Sequence, residues 1–322
     1  MIKTGTRHGL LDKDIGALEA LLGPENVEAG TKGNCVWVRP GSSAEVSALF
    51  RFSATYRLPI NVKAGKGKKP VASSALVLSL ERFDKVKRVE PRSMLMEAGA
   101  GVTGSTIEDE AASFGLVPIQ RLAPVDSIGA FLSRTPVIPS AYRGGESEFC
   151  CALNAVLADG REVRTRITPR SATGPDIKHL LLGTRGMIGV ILHAVIRLEP
   201  VGLGRADLLW SFEDKESALG TAAKLQGDGI LWPGAYRLTQ ESKETVLAIR
   251  LKGDKAVVSV IASRIAETAR ANKGKEVRPG KEKTLERYFD APRLKYEGFF
   301  ALARRIKRQL DPSNLLNAGE SS

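Results

Sequence analysis

Gly174-Pro-Asp-Ile-Lys-His-Leu-Leu-Leu-Gly-Thr-Arg-Gly-Met-Ile-Gly-Val-Ile-Leu-His-Ala-Val-Ile-Arg-Leu198 sets three glycines, Gly183, Gly186 and Gly189, three apart between an apolar helix end and a run of branched residues. Without a Cβ, such backbone turns freely and comes close to something flat or phosphorylated, where a side chain would collide. The stretch reads as helix, glycine turn and strand, with the strand stopped by Glu199-Pro200. Asp176 is placed to cap the short helix Ile177–Leu182.

Upstream, the spacing predicts helices over Leu11–Leu22 and from Ser42 to Phe52, the second with Ser43 as cap and Glu45 as first-turn acid. Strands are predicted over Leu58–Lys63, Ala75–Leu80, Lys85–Val89 and Leu95–Ala98, then a helix over Ser105–Phe114. Phe149–Leu157 and Glu162–Ile167 flank Asp159-Gly160, a tight-turn dipeptide, and read as a hairpin. Several consecutive strands without intervening helices favour an α+β arrangement over a doubly wound sheet. Gly202-Leu-Gly204 reads as a linker. Beyond it, Asp207–Phe212, Lys215–Leu225, Ala235–Leu238, Val246–Lys252 and Ala256–Ala271 give strand–helix–strand–strand–helix, a small sheet with helices on one face. Lys273–Lys283 reads as a charged loop, and Tyr296–Leu310 as a basic helix ending at Asp311-Pro312.

Composition bounds the function classes. The chain has 322 residues, 43% hydrophobic and 26% charged, ordinary for a globular protein of one large and one smaller domain. Its apolar runs are too short to span a bilayer, and its first residues lack a signal-peptide core, so the expectation is cytoplasmic. The three cysteines, two of them adjacent (Cys150, Cys151), form no Cys-x-x-Cys pair and read as packing residues. A net charge of +12 raises nucleic-acid binding, but aromatic content is 6% and no recognition motif accompanies the charge. A solvated basic surface, or a face for an anionic cofactor, an acidic partner or a membrane surface, remains. The three histidines, His8, His179 and His193, are scattered, which argues against a metal site.

Two further segments carry chemistry. In Lys63-Ala64-Gly65-Lys66-Gly67-Lys68-Lys69, after a strand, Gly65-x-Gly67 could aim backbone N–H groups at a phosphate while the lysines supply charge; a merely basic surface loop would read the same. Ala123-Pro124-Val125-Asp126-Ser127-Ile128-Gly129-Ala130-Phe131-Leu132-Ser133 offers a hydroxyl and a glycine at a turn into a helix, which structure alone would also explain.

Taken in order, these segments, Glu97-Ala-Gly-Ala-Gly-Val-Thr103 and the tail Leu310-Asp-Pro-Ser-Asn-Leu-Leu-Asn-Ala-Gly319 resemble the FAD-binding domain of the vanillyl-alcohol oxidase / p-cresol methylhydroxylase flavoprotein family. The likeness is nearest to the FAD-binding subunit of bacterial glycolate oxidase. Lys66 and Lys68 stand where the family has small or hydroxyl residues, Ala130 where a second glycine is common, and Ala318 where proline is. The resemblance implies an α+β, two-subdomain FAD-binding fold of the vanillyl-alcohol oxidase type with a small, shortened α/β cap. Its domains would be 1–203 for FAD, 204–290 for the cap, and 291–322 returning to the FAD domain. It implies FAD bound non-covalently by Lys63, Ala64, Gly65, Lys66, Gly67, Lys68, Lys69, Pro124, Ser127, Ile128, Gly129, Ser133, Gly186, Gly189, Val190, Ile191 and Asn317. The implied activity is oxidation of a 2-hydroxy acid such as glycolate or lactate, with electrons passed to partner flavoprotein and iron–sulfur subunits or a quinone. Peripheral membrane association is compatible with it; nucleic acid is not a partner. Catalytic residues are not legible, although Arg237 and Arg250 are candidates to clamp a carboxylate. The alternative is a subunit that keeps the fold, binds FAD weakly or not at all, and structures a complex.

Overall fold

A computed structural model describes residues 12–29, 35–63, 75–120, 122–134, 149–167, 176–202, 204–231, 236–241, 244–277 and 297–318. They fall into two units: residues up to Glu199 together with the C-terminal helix and tail, and residues from Pro200 to 277.

Among the described residues, the first unit contains two sheets. In the first, β1 (Val27–Ala29), β2 (Val36–Val38), β4 (Leu76–Ser79) and β3 (Ile60–Lys63) lie in the order β1-β2-β4-β3. β2, β4 and β3 are parallel, and β1 is an antiparallel edge. Helices α1 (Asp12–Leu22) and α2 (Ser43–Tyr56) belong to it. The Ser42 hydroxyl caps α2 by accepting the Glu45 N–H at 3.2 Å, and the Glu45 carboxylate accepts the Gly41 N–H at 2.8 Å. The cap is therefore Ser42 rather than Ser43, because the reciprocal pair needs a three-residue spacing to Glu45. Val46, Leu49, Phe50 and Ser53 recur at helical spacing and form the buried face.

The second sheet is antiparallel, in the order β5 (Val86–Glu90), β6 (Leu95–Gly99), β10 (Gly189–Pro200), β8 (Cys150–Leu157), β9 (Glu162–Arg164), with β7 (Leu116–Pro118) also paired to β10. The expected hairpin is present, with Gly160 at φ +84°, but β9 stops at Arg164 instead of running to Ile167. Among the described residues, helices α3 (Gly104–Ala112), α4 (Ile128–Arg134), α5 (Lys178–Leu181) and α8 (Glu297–Leu310) also belong to this subdomain.

Each sheet has its own core, and β10 serves both. Val190 and Leu192 pack with Leu49, Phe50, Leu76 and Leu78, while Ile191, Ala194 and Ile196 pack with Ile107, Ile128 and Phe149. A strand sends successive side chains to opposite faces, so one burying both reads as an unbroken apolar run. This is the run that follows the three glycines. The register slips between Ile191 and His193, leaving Leu192 as the extra residue.

In the second unit β12 (Tyr236–Gln240), β13 (Thr245–Gly253), β11 (Gly204–Phe212) and β14 (Lys275–Glu276) form an antiparallel sheet in that order. Trp210, Phe212, Leu247, Ile249 and Leu251 meet α6 (Lys215–Gly227) and α7 (Lys255–Ala271). Asp214 and Asp254 cap those helices through their carboxylates. Two sequence expectations change here: Gly204 opens β11 instead of ending a linker, and Lys275–Glu276 pairs with Ser211 and Trp210 instead of lying in a loop.

Candidate cofactor site

Strand β3 ends at Lys63, whose ammonium stands 4.4 Å from the centroid of the Trp37 ring on β2. Ala64, Gly65, Lys66, Gly67, Lys68 and Lys69 lie outside the described residues. The tail returns beside β3. The Ile60 N–H donates to the Leu315 carbonyl and the Asn317 N–H to the Ile60 carbonyl, both at 2.8 Å. Asn317 is buried, and its side chain joins two distant segments. Its Oδ1 accepts the Val62 N–H at 2.8 Å, and its Nδ2 donates to the Gly186 carbonyl at 3.1 Å. Gly186 sits at φ +74°, and a Cβ there would fall 2.6 Å from that same Nδ2. The central glycine of the defining stretch is thus held against the exit of β3 by a residue of the tail.

Sequence reading gave no role to the residues that hold Asn317 in place. Lys307 and Asp311, four apart across the end of α8, are both buried. The Lys307 ammonium donates to Asp311 Oδ2 at 2.8 Å and to the Leu316 carbonyl at 2.6 Å. The Asp311 carboxylate accepts the N–H groups of Leu315 and Leu316 at 2.8 and 2.9 Å. In the sequence, Lys307 is one basic residue among Arg304, Arg305 and Arg308; only the Lys–Asp spacing before Pro312 marks it.

The segment around Ser127 joins the same group. The Gly183 N–H donates to the Leu132 carbonyl and the Arg185 N–H to the Ser133 carbonyl, fastening the glycine turn to the end of α4. At the start of α4 the Ile128 N–H donates to Val102 and the Gly129 N–H to Ala100, both at 2.9 Å. The buried Ser127 hydroxyl accepts the Ala130 N–H at 3.3 Å, and Ser133 donates its hydroxyl to the Gly129 carbonyl. Pro124 is exposed, and its carbonyl accepts the Ser105 N–H. A Cβ at Gly129 would lie 2.8 Å from the Ala100 Cβ, and one at Gly189 would lie 2.5 Å from the Val156 carbonyl oxygen. These two glycines admit neighbouring protein. Val190 and Ile191 are buried in the two cores.

Other singled-out residues lie apart from this group. The Asp176 carboxylate accepts the Lys178 N–H at 3.2 Å and pairs with the buried Lys178 ammonium. Burial pushes the Cys150 thiol up to about 12, so it stays protonated, as a packing residue would. His179 and His193 are both held below the usual imidazole range, chiefly by burial. His193 meets the Phe83 ring edge-on at 5.4 Å. In the second unit, Arg237 lies opposite Ala248, and Arg250 opposite Asp207, to which it donates at 3.3 Å. Strand parity puts both arginines on the sheet face turned away from α6 and α7.

Lys63 puts positive charge at the exit of a parallel strand, and Asn317 fixes that exit beside the glycine turn. Residues 36–166 match a protein family described as FAD binding domain. The first unit carries an FAD binding domain. With its surroundings, this FAD binding domain is 29% identical over 199 residues to D-lactate dehydrogenase of Archaeoglobus fulgidus, covering 60% of this chain and 45% of that protein. It is 21% identical over 241 residues to the glycolate oxidase subunit GlcD of Bacillus subtilis, covering 67% and 51%. A solved structure of p-cresol methylhydroxylase superposes with a TM-score of 0.58 at 16% identity, covering 99% of this chain and 72% of that one. That likeness establishes the α+β fold expected from the sequence. The chain spans about half the length of the curated relatives it matches. No helix among the described residues is long and apolar enough to cross a membrane.

Proposed function

We propose that the chain is the FAD-binding part of an FAD-linked oxidoreductase that oxidises a 2-hydroxy acid of the glycolate or lactate class. One observation carries the reading: the Asn317 carboxamide, which accepts from Val62 and donates to Gly186, gathers the exit of β3, the glycine turn and the tail at one place. Lys63 and Lys66, Lys68 and Lys69 of the following connection would hold the diphosphate by charge. Backbone of the Gly183–Gly186 turn would line the cofactor, with Ser127 and Ser133 beside it. The N–H groups of Ile128 and Gly129 serve Val102 and Ala100, so binding there would come from contact instead of N–H donation. When bound, FAD supplies the two-electron acceptor, and the protein supplies binding and orientation. The similarity to a D-lactate dehydrogenase and to a glycolate oxidase subunit supports the substrate class and a partner that receives the electrons. Arg237 and Arg250, sharing one sheet face, are the candidates to clamp a carboxylate, and Arg250 would have to exchange Asp207 for it.

The two N–H groups already bonded within the protein also favour a second reading, a structural subunit with weak FAD affinity. A visible spectrum of freshly purified protein separates the two. Yellow protein that releases FAD on heating, and whose flavin band bleaches anaerobically with D-lactate or glycolate, supports the first. Colourless protein that takes up no added FAD removes it.

A further inference from the structure

A cavity of about 230 Å³ opens in the first unit. Its walls include Phe50, Arg51 and Ala54 of α2, Ala158 of the β8–β9 turn, and Pro312 and Leu316 of the tail. Its chemistry is lopsided. Asp159 borders it, but its oxygens accept the Arg161 N–H at 3.0 Å and the Arg161 Nε at 2.7 Å. Asp311 also borders it, and its carboxylate is taken by Lys307, Leu315 and Leu316. The Ser53 hydroxyl is given to the Leu58 carbonyl. Among the described residues, Arg51 has no carboxylate partner and is the one cation at the rim without a counter-charge.

We infer that this cavity binds a small organic acid with an apolar tail, its carboxylate on the Arg51 guanidinium and its chain against Phe50, Ala54, Ala158 and Leu316. Small-molecule sites combine mostly apolar walls with a few placed polar groups, and a guanidinium matches a carboxylate in both charge and shape. At roughly 30 Å³ per water, the space equals about eight waters, enough for an acid of about six to eight heavy atoms. An occupant would press on Ile60 and Leu316, which form a β-bridge just before Asn317, and so would steady the segment that carries that residue. The inference is independent of the redox reading, because none of the six wall residues named is a cofactor candidate.

Calorimetric titration of the full chain, with and without added FAD, tests it, using hexanoate as probe and hexan-1-ol as its uncharged counterpart. Hexanoate binds in both cases without altering the flavin spectrum, and hexan-1-ol binds about tenfold more weakly or worse. Arg51→Met keeps the apolar stem and weakens hexanoate about tenfold, the scale of one charge-assisted contact. Ala54→Trp, on the exposed side of α2, fills the space and abolishes binding. Hydrogen exchange at Ile60 slows on adding hexanoate to the wild type. Absence of hexanoate binding, or binding indifferent to Arg51→Met, overturns the inference. Binding that survives Ala54→Trp in a variant with an unchanged melting temperature overturns it as well. Should Ala54→Trp fail to fold, Arg51→Met alone decides.

Discussion

Replacing Asn317 tests the geometry on which the cofactor site depends. In Asn317→Ala the Val62 N–H loses its acceptor and the Gly186 carbonyl its donor, in a place from which bulk water is largely excluded. Each group left unpaired costs about 1 kcal/mol or slightly more. Asn317 also lies at φ +45°, where asparagine is tolerated and alanine costs roughly 1 kcal/mol more. The sum is about 3 kcal/mol. Asn317→Gly breaks the same hydrogen bonds without the backbone penalty and loses about 2 kcal/mol. Urea denaturation of both variants gives the totals. Hydrogen exchange of Val62, which accelerates in both, localises the effect. On the proposed function, FAD uptake falls in step. An alanine variant within 0.5 kcal/mol of wild type, or an unchanged Val62 exchange rate, would refute the bridge and with it the gathering of these segments.

Lys307→Met leaves the Asp311 carboxylate buried without its cation and destabilises the protein by about 3–5 kcal/mol in urea denaturation; adding Asp311→Asn recovers part of the loss. Gly129→Ala drives a methyl group to 2.8 Å from the Ala100 Cβ and 2.9 Å from its carbonyl oxygen, neither on a flexible side chain, and costs about 1–3 kcal/mol, read from the shift in denaturation midpoint. His193, whose pKa is lowered mainly by burial, binds a proton more readily unfolded than folded. Its contribution is therefore intact above the unfolded imidazole pKa and is lost as pH falls towards the folded one, so His193→Gln shows a flatter dependence of melting temperature on pH below neutrality than wild type does.

The order of elements was legible wherever a local pattern is strong. The apolar runs of β8 and β10, the Asp159-Gly160 turn and the amphipathic α2 all follow from spacing that acts within a few residues. The three-residue strands β1, β2 and β7 were not legible, because so short a segment carries no periodicity and is strand only by virtue of its neighbours. The two-residue β14 is a strand for the same reason. The glycines were visible, but their use was not. Composition says that Gly129 and Gly189 permit close approach; only the fold shows that Ala100 and the Val156 backbone make it.

The sequence by itself determined the α+β order of elements, the turn chemistry and the family resemblance, because helix caps, glycine turns and strand alternation are encoded over short distances. Only the tertiary structure decided that Asn317, more than a hundred residues from Gly186 and further still from Val62, ties both together. Only there does Lys307 become an interior cation bound to Asp311 instead of one more charge on a basic helix. Such roles depend on desolvation and on partners that chain folding brings together from far along the sequence, and neither leaves a trace in local spacing.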